Sequence, residues 1–213
     1  NAGAGTGTDT SGGTDAGIGT DTGATIIWTG KQKFVALLYE NALGRTAAQS
    51  EIDFWTQQLS NGSTGADVAY GFLFSPEFQN KNYNNADYVE HLYLSLMGRA
   101  SDPSGESGWV TCLNNGASRK CIFKQFINSD EFQNLCNTYE IQKGTVTLTE
   151  ARDQNYNVTR FVSRNYTQFL GRGYDVEGLN NWCAAINDHT QTMQQIAFGF
   201  VFSPECSNKN LSN

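Results

Sequence analysis

The sequence predicts an all-α fold of three tandem helical repeats, each roughly 50 residues long, preceded by a flexible Gly/Thr/Asp-rich linker. Three observations carry this. The phrase Tyr, four residues, Gly-Arg, nine residues, Trp occurs three times, as Tyr39-Gly44-Arg45-Trp55, Tyr93-Gly98-Arg99-Trp109 and Tyr166-Gly171-Arg172-Trp182. About twenty residues after each Trp stands a Ser-x-Glu step, at Ser75-Pro76-Glu77, Ser129-Asp130-Glu131 and Ser203-Pro204-Glu205. Between these marks apolar residues recur three and four apart, the period of one helix face.

Residues 1–25 are almost all Gly, Thr, Ser, Ala and Asp. They offer too little apolar surface to offset the entropy of ordering, so they read as a linker. Residues 26–213 form the helical repeat domain, with units at about 31–82, 85–137 and 158–210 and a polar insertion at 138–157. A chain that begins inside such a linker reads as a piece of a longer modular protein.

In the first helix of each unit, positions ten, nine, five and one before the Gly are apolar: Phe34, Val35, Tyr39, Leu43; Tyr88, Val89, Tyr93, Met97; Phe161, Val162, Tyr166, Leu170. Gly44, Gly98 and Gly171 then close those helices, because Gly enters the left-handed conformation at little cost. Asp102-Pro103 reads as a cap and first residue of the second helix, and Asp175 takes the same place. The first unit has Ala48 there with Glu51 three residues on, a weaker start. Each Trp is followed four residues later by Leu59, Leu113 or Ile186, which gives the second helix its buried stripe. The third helix buries Val68, Ala69, Phe72; Ile122, Phe123, Phe126; or Ile196, Ala197, Phe200. The Ser-x-Glu step opens a short fourth helix through a Ser cap and a carboxylate favoured by the helix dipole, burying Phe78, Phe132 or Cys206.

The string Phe-Val-x-x-Leu-Tyr-x-x-x-Leu-Gly-Arg at 34–45, Gly-Arg-x-x-Asp-x-x-Gly-x-x-x-Trp at 98–109 and 171–182, and Ser-Pro-Glu-Phe at 75–78 resemble the bacterial helical repeat family called domain of unknown function 4214. The resemblance covers nearly everything after the linker. It implies an accessory part of a secreted or surface-attached bacterial protein, and it brings no catalytic residues to transfer. Ala48, Glu51 and Cys206 depart from the pattern.

A net charge of -7 and a pI near 4.8 argue against a nucleic-acid partner, which needs clustered Lys and Arg. No apolar run approaches eighteen residues, so no membrane span is expected. Cys112, Cys121, Cys136, Cys183 and Cys206 show no metal-ligand spacing, and only His91 and His189 accompany them, so no cofactor is expected. In an extracellular setting Cys112 and Cys121 are candidates for a disulfide, with Cys183 and Cys206 a second, weaker pair and Cys136 left free.

Glu77, Glu131 and Glu205 are the sharpest catalytic candidates, since paired carboxylates hydrolyse glycosides. One Glu and one Arg per unit instead favour a partly buried tie, Arg45 with Glu77, Arg99 with Glu131 and Arg172 with Glu205, alongside structural Trp55, Trp109 and Trp182. Breaking a buried tie would cost about 3–5 kcal/mol. Calcium between Asp102 and Glu106, or Asp175 and Glu177, lacks the twelve-residue loop spacing. Both histidines read as surface residues, and the sequon at Asn165 falls on a buried stripe.

Comparison between units gives the functional clue. Five and one residues before the Ser-x-Glu step stand Tyr70 and Phe74 in the first unit and Phe198 and Phe202 in the third, against Lys124 and Asn128 in the second. Aromatics four apart on a helix form a flat platform that stacks on a sugar ring or another protein, or packs unit against unit. Tyr174 beside Asp175 adds a further ligand-binding candidate, while Trp28 reads as pinning the first unit's edge. The expected function is a non-catalytic module, extracellular or at the bacterial cell surface, that attaches a larger protein to polysaccharide, plant cell-wall glycan favoured. The alternative is a protein-interaction or assembly module with a protein partner.

Overall fold

The computed structural model describes residues 27–211; the linker assigned to 1–25 lies outside them. The first unit comprises α1 (Gly30–Asn41), α2 (Gln49–Ser60), α3 (Gly65–Leu73) and α4 (Pro76–Gln79). The second comprises α5 (Asn85–Met97), α6 (Pro103–Asn114), α7 (Arg119–Asn128) and α8 (Asp130–Thr138). In the third, α9 (Tyr156–Asn165) runs on into a π-helical turn, Tyr166–Leu170, before α10 (Val176–Asn187), α11 (Met193–Val201) and α12 (Pro204–Leu211). No strand occurs among the described residues.

The recurring motif now has a physical meaning at each position. Gly44, Gly98 and Gly171 have φ of 66°, 67° and 66°, the left-handed turn that ends the first helix. Asp102 and Asp175 cap α6 and α10 by accepting from Gly105 N at 2.8 Å and Gly178 N at 2.7 Å. Gly105 and Gly178 are needed because the Tyr93 and Tyr166 hydroxyls occupy the space a Cβ would take. In the first unit Glu51 holds the equivalent position. Its carboxylate reaches back to Ala48 N at 2.8 Å, so the missing cap side chain is replaced by the other half of a capping box.

Units one and two share a single core that includes Phe34, Leu38, Phe72, Tyr88, Leu92, Phe126 and Phe132. α1 packs on α5, where Asn41 Nδ2 donates to Leu94 O at 2.9 Å. His91 was expected on the surface; it is half-buried in this joint, with Nδ1 at 2.6 Å from Asn41 O and its ring against Tyr83 and Phe78. The helical period puts position 91 on the polar side of its helix; contact with the first unit's Asn41 is what covers it.

The stretch after α8 is less of a loose insertion than its polarity suggests. Gln142 O and Lys143 O accept from Gly65 N and Ala66 N at 2.7 and 2.9 Å, meeting the free donors at the start of α3. Ile141 and Val146 pack onto the shared core as this strap passes. Tyr139 and Tyr83, aromatic but outside the helical pattern, also pack there, and so does Trp28.

The third unit has a core of its own, Val158, Val162, Tyr166, Leu179, Cys183, Ile186, Ile196 and Phe200. It meets the second unit at the loop after α6. Asp153 accepts from Ser118 N at 2.9 Å and Ser118 Oγ at 2.5 Å, and Leu179 and Thr159 lie against Gly116.

Candidate functional site

Each unit contains the same five-residue constellation. The Arg guanidinium lies 4.7, 4.9 and 5.0 Å over the ring of Tyr39, Tyr93 and Tyr166. Each Tyr meets Phe72, Phe126 or Phe200 edge-on, at 4.7, 4.9 and 4.9 Å. Trp55, Trp109 and Trp182 then pack on those phenylalanines at 5.1, 5.5 and 5.8 Å. Arg45, Arg99 and Arg172 grip Glu77, Glu131 and Glu205 through two hydrogen bonds each, the Nε bonds being 2.7, 2.8 and 2.5 Å.

These ties are not buried, which corrects the expectation of a partly buried pair. The Arg side chains are 37–44% exposed and the Glu side chains 45–48%. The tryptophans are likewise half-buried, one side on the core and the other toward solvent. The motif ties helix ends together at the rim of each unit, where water screens the charges. Removing a partner therefore costs far less than it would inside a core. Arg45→Ala should destabilise by about 1 kcal/mol, read by denaturant melts.

The first unit adds a second carboxylate, with Arg45 Nη1 and Nη2 at 2.9 and 2.8 Å from Glu51. The Arg45 hydrogen bonds hold the Glu51 carboxyl down at about 2 and lower that of Glu77. A carboxylate depressed in the folded state stabilises above its unfolded pKa and loses that contribution as pH falls through the folded value. The stability gap between wild type and Arg45→Ala should therefore be full at pH 7, shrink below about 4.5, and close near 2; melting temperature against pH checks it.

The stripe aromatics occupy two different environments. Tyr70 and Phe74 stack at 4.4 Å and 19°, but Phe123 of the second unit packs edge-on against both, and Lys120 lies 5.6 Å over Tyr70. Phe198 and Phe202 stack at 5.8 Å and 14° and remain 53% and 73% exposed. The difference is positional: among the described residues Phe123 packs on the first pair, leaving Tyr70 36% exposed, and no described aromatic packs on the second from another unit. Tyr174 leans on the third core, while Asp175 is engaged as the α10 cap and lies 3.5 Å from Arg172.

Two shallow recesses also open on the third unit. One, of about 450 Å³, is formed by Gly178, Asn181, Trp182, Ala185, Thr190 and Gln191. The other, of about 350 Å³, lies along α9 between Asn157, Arg160, Phe161, Arg164, Asn165 and Gln168. Sequence reasoning missed the second, although a signal existed: counting six residues back from the helix-closing Gly gives Leu38, Leu92 and then Asn165.

All five cysteines are free thiols, so neither the Cys112 to Cys121 nor the Cys183 to Cys206 bridge is formed. Cys183 is instead a core residue, 3.8 Å from Thr159 Oγ1, and Cys206 fills the place of Phe78 and Phe132 under its helix. Burial pushes the Cys121 and Cys136 thiols up to about 11, which suppresses the thiolate that exchange chemistry needs. No group of three or more His, Cys, Asp or Glu positioned for a metal occurs among the described residues, and no described helix is long and apolar enough to cross a membrane.

The fold and its repeated rim constellation define a protein built of three tandem four-helix units. The model of the family described as Domain of unknown function (DUF4214) matches three times, over residues 28–82, 69–136 and 147–210, and the chain belongs to that family. No curated protein and no solved structure matches the chain.

Proposed function

We propose that the chain is a non-catalytic accessory module that binds polysaccharide at the bacterial cell surface or outside the cell. The observation that carries this reading is the open, parallel Phe198 and Phe202 pair. Two near-parallel rings, more than half exposed among the described residues, present apolar surface on which a pyranose ring stacks. Further chemistry on the same unit fits, since the Trp182 recess sets an indole among the Asn181 and Gln191 amides and the Thr190 hydroxyl. Such recesses combine an apolar wall with a few polar groups that fix orientation. The repeated carboxylates support a non-catalytic role. Arginine holds Glu77, Glu131 and Glu205 below the usual carboxylate range, the reverse of the raised pKa a glycosidase general acid requires.

Affinity electrophoresis against a panel of neutral soluble plant glycans tests it. At least one glycan should retard the protein, and Phe198→Ala with Phe202→Ala should abolish the retardation while leaving the circular dichroism unchanged. No retardation by any member of the panel would remove the reading. Weak single-site binding would be amplified where several such units act in tandem.

A second reading, assembly with a protein partner, is favoured by one observation: in the equivalent pair, Tyr70 and Phe74, both rings are met edge-on by the following unit's Phe123. Sedimentation that shows a concentration-dependent oligomer, lost in Phe202→Ala and indifferent to glycan, would select it.

A further inference from the structure

The geometry points to a second ligand site on the third unit, the α9 recess, which we infer binds the carboxylate of an acidic sugar such as a hexuronate. The inference takes its ligand class from the polysaccharide reading but stands on different residues. Its first support is a break in the repeat. At the position where Leu38 and Leu92 are wholly buried in the first two units, the third carries Asn165, only 5% exposed, whose amide Nδ2 is buried without any hydrogen-bond partner. An unmet donor in a packed helix is a cost the other two units avoid. Asn165 is part of the recess wall, and the π-helical turn begins at the next residue, Tyr166. Neither α1 nor α5 carries such a turn, and π-helical turns are commonly retained where a helix serves a site.

The second support is charge. Arg160 and Arg164 both line the recess, and neither forms an ion pair among the described residues, whereas Arg45, Arg99, Arg152 and Arg172 do and Arg119, also without a carboxylate, is engaged by Tyr83 O and the Tyr88 ring. Like charges four apart on a helix repel, and in a chain of net charge -7 carboxylates to neutralise them are plentiful. Two guanidiniums left unpaired over one recess supply the planar donor forks that match a carboxylate.

The third support separates a sugar acid from a bare anion. Phe161 stands where Phe34 and Tyr88 are fully buried, yet it is only partly covered and forms an apolar wall of the recess. Asn157 and Gln168 add amides that donate to and accept from hydroxyls. A volume of about 350 Å³ lies in the range of small-ligand sites. An inorganic anion would use the arginines and leave the ring and amides idle; a hexuronate engages all three.

The test is calorimetric titration of the full chain with trigalacturonate, with its methyl ester and with inorganic phosphate. Trigalacturonate should bind, the neutral ester at least tenfold more weakly, and Arg160→Gln with Arg164→Gln should lower trigalacturonate affinity at least tenfold. Asn165→Leu, which restores the residue of the other units, should lower affinity by a similar factor while raising the melting temperature, an outcome a purely structural Asn would not give. Phe198→Ala with Phe202→Ala should leave trigalacturonate affinity intact, so failure of the platform and failure of this site are told apart. Absence of trigalacturonate binding, equal binding of the ester, equal binding of phosphate, or full affinity in the double Arg variant would each overturn the assignment.

Discussion

Phe72→Ala is expected to cost about 3–5 kcal/mol, the range for truncating a buried aromatic that its neighbours cannot replace. Phe72 is 2% exposed and is the hub on which Tyr39 meets Trp55. Tyr39 in turn carries Arg45, so the loss reaches the rim tie as well as the core. The informative comparison is Phe200→Ala, which removes the same hub from the third unit. Because the third unit's core is separate from the one that units one and two share, the two variants should fail differently. Phe72→Ala should shift the unfolding of units one and two together, whereas Phe200→Ala should loosen the third unit first. Hydrogen exchange resolved by segment checks this: amides of α1 to α8 should keep their protection in Phe200→Ala. Equal loss of protection across all three units would show that they unfold as one body.

The parts of this fold legible in the sequence were those set by local rules. Spacing of Phe34, Val35 and Tyr39 marks a helix face whatever lies beyond it, and Asp102-Pro103 marks a helix start because cap geometry involves only adjacent residues. What escaped depends on contacts between elements distant in the chain. His91 reads as polar until the first unit's Asn41 is laid against it, and the choice for Tyr70 with Phe74 between an open platform and packing of unit against unit is decided only by Phe123, which meets both. The strap that reaches Gly65 and Ala66 works through its carbonyls, which no side-chain pattern reveals. The candidate sites divide along the same line. Phe198 and Phe202 stood out because the units differ there, and Asn165 would have stood out by the same comparison. Read only as a sequon on a buried stripe, it hid its chemical meaning: a polar amide held where its sister units hold leucine.

The junction between the second and third units supplies the other large expected effect. Gly62 and Gly116 are repeat equivalents, each seven residues after the motif Trp, with φ of 107° and 105°. Alanine is strained at either position, which costs about 1–3 kcal/mol. At Gly62 that strain is the whole effect, because a methyl group there meets nothing within 4 Å. At Gly116 the methyl would stand 2.8 Å from Leu179 Cδ2 and 3.0 Å from Thr159 Cγ2. Both of those residues are fully buried, so neither can swing aside without disturbing the third core. Overpacking of that kind adds about 1–3 kcal/mol. Gly116→Ala should therefore lose clearly more stability than Gly62→Ala in parallel denaturant melts. Its excess should fall on the third unit, seen as faster exchange of α9 and α10 amides, because the methyl presses on Leu179 and Thr159 beside the Ser118 to Asp153 hydrogen bonds that join the units. If the two alanine variants proved equally stable, backbone strain alone would account for both glycines and the packing of Leu179 against the loop would carry no weight in holding the third unit in place.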